Sequence, residues 1–365
     1  MRSTLFLCVA SLLIAQTPPP QAPTPPQNPQ ESASQDASND PSKISVSFKF
    51  VLAPVTVTNR NHEFVPGLTP YDFRLYDNGK LQKITEDVGT HPLSVVLVIQ
   101  ANANVEKILP TIARTASIFE SLVIGDDGEM AVIGYDHRLQ VLTDFTNDAA
   151  AIDGAFKKLK VGSYTAALND ATMKAINMLK GRPQSRKRVV IQIAENRDRG
   201  SEIRPREVLT EADFANVSMY SVNISQLVAA LTSTAQPNRP STLPPGAQAM
   251  PMGQINTATT ESQMNMGNWV PALVDIFDAA KGVIMPDPLD VYTRYSGGHE
   301  CGFKGDKGLN RCVEQIGNEL HSQYMLTYLP NNSEEGGYHH IVVEVAKPGL
   351  AVRTRDGYWV AAKPK

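Results

Sequence analysis

The chain has 365 residues, with hydrophobic residues at 42% and charged residues at 19%. That is room for one large domain and a small one, with an ordinary globular balance. The net charge is -3 and no Lys/Arg run or basic stripe occurs, which argues against a nucleic-acid partner.

Met1-Arg2 supplies a short positive region, and residues 5–15 (LFLCVASLLIA) form an apolar run too short to span a bilayer. Residues 1–15 therefore read as a secretory signal peptide, which makes the protein exported, periplasmic or extracellular. A buried strand or helix start is the alternative, but the Pro-rich tract that follows offers nothing to pack over it. Cys8 lies too early in the run for lipid attachment, and no later segment has the length and apolarity of a membrane span. Residues 16–43, rich in Pro, Gln, Ser and Asn, read as a disordered linker.

Residues 44–89 read as a small β unit. Ile44, Val46, Phe48, Phe50 and Leu52 alternate as in a half-buried strand. The phase then shifts to Val55 and Val57, and Ala53-Pro54 at the shift suggests a bulge or an edge position. Thr69-Pro70 with Asp72 has the chemistry of a short helix start. Asp77-Asn78-Gly79-Lys80, between Leu75 and Leu81, is a hairpin signal.

From Pro92 onward strands and helices alternate. Strands are predicted at 94–99, 130–134, 139–142, 188–194 and 217–223. Helices are predicted at 105–123, 148–159 (capped by Asp148), 165–179 and 207–214. Residues 225–267, rich in Pro, Ser, Thr, Gln, Ala and Met, break the pattern and read as an insertion loop. Helix returns at 269–281, 289–295 (stopped by Gly297-Gly298) and 309–321. The tail is β at 324–329, 338–346, 351–354 and 357–360. Apolar strands alternating with helices imply a doubly wound α/β fold, a mainly parallel sheet flanked by helices. Residues 90–329 form that domain and residues 330–365 a C-terminal β tail. Without Cys8, the mature chain holds Cys301 and Cys312, an even count that predicts a disulfide across a Gly-rich loop. A Cys/His metal site with His299 is the weaker rival, since no second His lies near.

Several segments in order resemble the von Willebrand factor A-like domain, most of all an exported subgroup abundant in acidobacterial proteomes. They are Val55-Thr56-Val57-Thr58 through Lys80, Tyr164-Thr165-Ala166-Ala167-Leu168-Asn169-Asp170-Ala171, Tyr295-Ser296-Gly297-Gly298, Tyr324 through Pro330, and Gly337 through Tyr358. The resemblance covers 44–360. It implies a metal-ion-dependent adhesion site beyond the C-terminal ends of the strands. The family pattern is Asp-x-Ser-x-Ser after the first strand, a Thr opening a later helix, and an Asp after the fourth strand.

Here Gln100, Asn102 and Asn104 stand at the Asp, Ser and Ser positions, Thr165 matches the Thr, and Glu195 falls at the second Asp. Two carboxylates have become one. Asn and Gln carbonyls can ligate Ca²⁺ but bring no charge, so a tight Mg²⁺ site is not expected. Asp198 is the other residue that could reach inward, and Asp170 reads as a cap or surface charge. Asn and Gln at a strand end are also common turn formers that could simply bond the loop.

Other candidates are plainer. Met250-Pro251-Met252 and Met264-Asn265-Met266 could make a weak Cu(I) site, but read better as part of a flexible loop. His339-His340 on a strand point to opposite faces, cannot share a metal, and read as surface or edge positions. No Gly-x-Ser-x-Gly, His-Glu-x-x-His or phosphate-cradling Gly loop occurs. The sequence thus predicts a non-enzymatic exported protein-binding, adhesion or scaffold protein with an unidentified protein partner and no cofactor. One alternative is a divalent-metal-dependent adhesion domain, with Asn102, Asn104, Thr165 and Glu195 holding a weak Mg²⁺ or Ca²⁺. The third reading is a cell-envelope hydrolase.

Overall fold

The structure is a computed structural model that describes residues 50–85, 91–125, 127–232, 287–303 and 306–360. The expected signal peptide, linker and 269–281 helix, and both Met-x-Met pairs, lie outside the described residues. At the centre is a six-stranded sheet in the order β10-β9-β8-β5-β6-β7. The strands are β5 (Leu93–Gln100), β6 (Glu129–Tyr135), β7 (Leu139–Thr146), β8 (Lys187–Ala194), β9 (Val217–Asn223) and β10 (Glu300–Gly302). All neighbours run parallel except β6 and β7, so β7 is an antiparallel edge. Counted from β7, the chain order is third, second, first, fourth, fifth, sixth, the doubly wound arrangement whose switch point lies between β5 and β8.

Every residue of β5 is buried, because the strand has a helix layer on each face. Leu93, Val95, Leu97 and Ile99 join one core with Ile112, Phe119 and Phe156, while Val96 and Val98 join the other with Leu168, Ile176 and Tyr292. The first layer contains α3 (Ala149–Lys157), α6 (Ser225–Thr232) and α8 (Asp306–Ser322). The second contains α4 (Leu168–Lys180), α5 (Pro205–Ala215) and α7 (Pro288–Ser296).

The helix predicted at 105–123 keeps its inward face but not its regularity. Ile108, Ile112, Ala116, Phe119 and Val123 are all buried. The backbone, however, runs through a 3₁₀ turn (Ala103–Val105), short α segments α1 (Leu109–Ala113) and α2 (Ala116–Ile118), and a π turn (Phe119–Ile124). Pro110 removes an N–H near the start, and the Thr115 hydroxyl donates to the Ile112 carbonyl (2.7 Å), competing with the helix ladder. Asp148 caps α3 as predicted, accepting from Ala150 N (3.0 Å). The loop read from Ser225 opens instead with α6, because Leu227 and Val228 find an apolar core to fill.

Strands from both ends of the described chain build a β sandwich. β1 (Val51–Thr58), β4 (Ile84–Thr85), β11 (Tyr324–Tyr328) and β13 (Ala351–Thr354) form a sheet ordered β13-β1-β11-β4. β2 (Phe73–Asp77), β3 (Lys80–Gln82), β12 (Gly337–Val345) and β14 (Gly357–Val360) form a second, ordered β14-β12-β2-β3. The two share a core of Val55, Val57, Phe73, Leu75, Leu326 and Ile341, among others. Asn78 (φ 48°) and Gly79 (φ 76°) take the left-handed conformations that a type I′ hairpin turn requires. Pro54 causes no register shift: β1 pairs without a break with β11 from Val51 to Val55, and pairing with β13 starts only at Val55.

His339 corrects the surface reading of His339-His340. It is fully buried, with Nδ1 2.7 Å from Asp77 Oδ1, while His340 is exposed. Asp77, itself buried, also accepts from Tyr328 Oη (2.9 Å), Tyr358 Oη (2.7 Å) and Asn332 Nδ2 (3.0 Å). One carboxylate thus gathers donors from both sheets. Its partners are more than 250 positions away in sequence, beyond the reach of any local pattern. Two arginines, the half-buried Arg353 and the buried Arg355, tie the sandwich to the α/β domain. Arg353 pairs with Glu319 of α8, and Arg355 with Asp213 of α5. Cys301 and Cys312 are disulfide-bonded, with Cα atoms 5.7 Å apart, joining β10 to α8.

Candidate functional site

Gln100 ends β5 and Glu195 follows β8, so the switch point brings them side by side although 95 residues separate them. Glu195 N donates to Gln100 Oε1 (2.8 Å). A backbone N–H can only donate, so this bond settles which way the amide points. Gln100 Nε2 then faces the site, donating to Glu195 Oε2 (2.8 Å) and to Asn102 Oδ1 (2.9 Å). The same logic passes on: with Oδ1 accepting, Asn102 Nδ2 donates to the Tyr164 carbonyl (3.2 Å). Asn104 Nδ2 also reaches Glu195 Oε2, at 3.4 Å. Gln100 and Asn102 are 1% exposed, so these bonds are shielded from water.

Thr165 is exposed and does not open a helix. α4 starts at Leu168, and Ala166 forms a β-bridge with Arg199 that holds the preceding residues extended. Thr165 Oγ1 lies 3.3 Å from Ser163 Oγ. The 162–166 loop is tightly clamped. Gly162 N donates to Ala101 O (2.7 Å), Ser163 O accepts from Ala103 N (2.8 Å), and Ala166 exchanges two backbone bonds with Arg199. A Cβ on Gly162 would sit 2.2 Å from Asp136 Oδ2, so only glycine permits this approach. From the clamped loop the Tyr164 side chain stands out, 79% exposed.

Asp198 and Asp170 both serve the backbone. Asp198 accepts from Leu168 N (3.0 Å), Asn169 Nδ2 (2.9 Å) and Ser201 Oγ (2.8 Å), capping α4. Burial raises its carboxyl above the ordinary value, against the pull of those bonds. Asp170 accepts from Glu202 N (3.1 Å) and Ile203 N (2.9 Å).

Sequence reasoning missed Asp136, His137 and Ser163. Their only local signal is a polar pair directly after the β6 strand. Asp136 accepts from Ser163 N (2.8 Å) and Arg138 N (2.7 Å), and His137 Nδ1 lies 3.0 Å from it. Burial raises the Asp136 carboxyl, but the Ser163 and Arg138 N–H groups and His137 outweigh it and hold the group far below the usual carboxylate range. His137 Nδ1 is also 2.7 Å from Ser163 Oγ. That distance suits a nucleophile–base pair, but the geometry does not. One ring nitrogen faces both the carboxylate and the hydroxyl. Beside an ionised Asp136 it carries the proton, which makes it a donor to Ser163 and not its base.

The donor set decides what the site can hold. Mg²⁺ and Ca²⁺ need several oxygen ligands, carboxylates among them. Here one carboxylate is present, and Asn102 Oδ1 and Glu195 Oε2 each already accept from Gln100 Nε2. Among the described residues, no group of three or more His, Cys, Asp or Glu side chains could hold a metal ion, and no helix is long and apolar enough to cross a membrane.

No protein-family model matches the chain, and no curated protein matches it. Solved structures do resemble it at low identity. The vWF domain of the type V pili tip protein Mfa5 from Porphyromonas gingivalis is 20% identical (TM-score 0.27), covering 30% of this chain. This chain spans 39% of that domain. An aerotolerance-related membrane protein from Bacteroides fragilis is 11% identical (TM-score 0.37), covering 62% of this chain and 98% of the other. The SpRpn10 VWA domain is 13% identical (TM-score 0.36), covering 61% of this chain and 94% of the other. With its six-stranded, doubly wound sheet and a helix layer on each face, the central domain is von Willebrand A-like in fold.

Proposed function

We propose that this chain is a non-enzymatic, exported binding or scaffold protein. It engages a protein partner at the top of the sheet, around Gln100, Asn102, Asn104, Thr165 and Glu195, with no obligatory divalent cation. The observation that carries the reading is the inward-facing amide of Gln100. Its N–H groups bond Asn102 Oδ1 and Glu195 Oε2, two of the oxygens a cation would use. The network keeps the loops in place without an ion. The clamped loop then presents Tyr164, a large amphipathic side chain on a backbone that is already ordered, as an interface anchor. The disulfide Cys301–Cys312 supports export, since such bonds persist in oxidising compartments.

The test is partner binding by the purified chain in EDTA and in millimolar Mg²⁺ or Ca²⁺, alongside thermal unfolding in the same buffers. The expected result is equal binding and superimposable melting curves, with Tyr164→Ala weakening the partner and leaving the melt unchanged. Binding that a chelator abolishes and Mg²⁺ restores would overturn the reading in favour of metal-dependent adhesion, for which the exposed Thr165 hydroxyl and the Glu195 carboxylate are the remaining favourable groups.

A further inference from the structure

Lys187 and Arg188 open β8, at the end of the sheet opposite Gln100 and Glu195. As strand neighbours they point to opposite faces, and each closes a helix C-terminus on its own side. Lys187 Nζ donates to Leu320 O (3.0 Å) and Gln323 O (2.8 Å) at the end of α8. Arg188 donates to Ala215 O (2.8 Å) at the end of α5 and to Arg182 O (2.5 Å). These bonds satisfy hydrogens but only part of the charge, because a helix C-terminus carries about half a negative charge. Lys187 is 6% and Arg188 9% exposed, and neither meets a carboxylate among the described residues. The buried Arg188 Nε–H has no acceptor there. Buried cations are ordinarily paired. Burial alone pushes Lys187 down to about 8 and lowers Arg188, with no neighbouring anion acting against it.

Both residues border a cavity of 240 Å³, space for about eight waters at ~30 Å³ each. Asn216 and Arg186 contribute polar edges, Arg186 being already engaged with Glu129, and Phe50 and Met325 give an apolar wall. No Asp or Glu is among the described residues that line it. We propose that this cavity binds a small organic carboxylate, its head group accepting from the unpartnered Arg188 Nε–H and neutralising that cation, and its apolar remainder lying against Phe50 and Met325. The site is separate from the surface at the top of the sheet and stands or falls independently of it.

The experiment is thermal unfolding of the full mature chain in chloride, acetate, butyrate and inorganic phosphate at equal ionic strength. Butyrate is expected to raise Tm by about 2 °C or more over chloride, and to exceed acetate. Asn216→Asp would supply a carboxylate from within. Asp tolerates the left-handed backbone that Asn216 adopts (φ 51°), and the variant is expected to lose the butyrate shift. Should the variant fail to fold, the Arg188 Nε–H resonance of the wild-type chain is read during a butyrate titration, where a saturable shift is expected. Equal curves in all four anions overturn the proposal, as does a butyrate shift that survives Asn216→Asp. A shift with phosphate that matches or exceeds butyrate overturns the carboxylate assignment.

Discussion

Replacing Gln100 by Glu changes one NH₂ into one oxygen and leaves the side chain's shape intact. The Oε1 contact with Glu195 N survives, since both residues can accept it. The two inward bonds do not: a donor at 2.8 Å from Glu195 Oε2 and 2.9 Å from Asn102 Oδ1 becomes a third acceptor. The bond to the carboxylate is worth roughly 1.5–3 kcal/mol and the neutral one about 1 kcal/mol. Two carboxylates in contact would repel by about 6 kcal/mol at an effective dielectric of 20, an upper bound that proton uptake by one of them relieves. A net loss of about 3–5 kcal/mol near neutral pH follows, or roughly 4–8 °C in Tm for a chain of this size. The loss is expected to shrink as pH falls and the pair takes up a proton.

The same variant gains the second carboxylate that the donor set lacks. Saturating Ca²⁺ is therefore expected to restore stability by about 2.7 kcal/mol once it exceeds its Kd a hundredfold, while the wild-type chain is indifferent to the ion. The assay is circular-dichroism melting of both proteins in EDTA and in millimolar Ca²⁺ across pH. Two outcomes would refute the reasoning: a Gln100→Glu melt in EDTA that matches wild type, or a Ca²⁺-dependent rise in the wild type as large as in the variant.

Other perturbations test the frame around the site. Burial, with Asp287 and Asp290 adding to it, pushes Glu300 up to about 7 from its ordinary 4.5, against a hydrogen bond from Asn223. A raised acid favours the fold fully below about 4.5, and that contribution is lost as pH rises through about 7. Urea titrations of the wild type are thus expected to show falling stability between those values and Glu300→Gln a flatter profile; parallel profiles would refute the assignment. Replacing Cys301 and Cys312 together by Ser releases a short loop and is expected to cost about 3 kcal/mol on the chain-entropy model, matching the effect of reductant on the wild type in urea unfolding. Asp213→Ala leaves Arg355 buried and unpaired and is expected to cost roughly 3–5 kcal/mol, whereas Asp213→Leu with Arg355→Met recovers most of it. A double variant no better than the single one would show that the pair does more than neutralise its own charges.

The sequence by itself determined the layers of this protein. Val95 through Ile99 could be a strand buried on both faces because the run is apolar and β-branched. Ile108, Ile112, Ala116 and Phe119 had to turn inward because their spacing puts them on one side of a helix. Asp148, Asn78-Gly79 and Gly297 did what their local chemistry demands. The place of Gln100 at the end of β5 was legible too, since a strand end is a local feature.

Tertiary structure alone decided what those positions do. Nothing around residue 100 states which end of the Gln100 amide faces inward. A backbone N–H at Glu195, delivered by another strand, sets it. Thr165 left the helix that its sequence suggested because Arg199, on a separate loop, pairs with its neighbour Ala166. Likewise His339 is buried because Asp77 waits for it 262 residues earlier in the chain, and Arg355 because Asp213 does. Propensity and periodicity act over a turn of helix or a few strand residues. Amide orientation, charge pairing and burial of a polar side chain depend on groups that meet only after the sheet has closed.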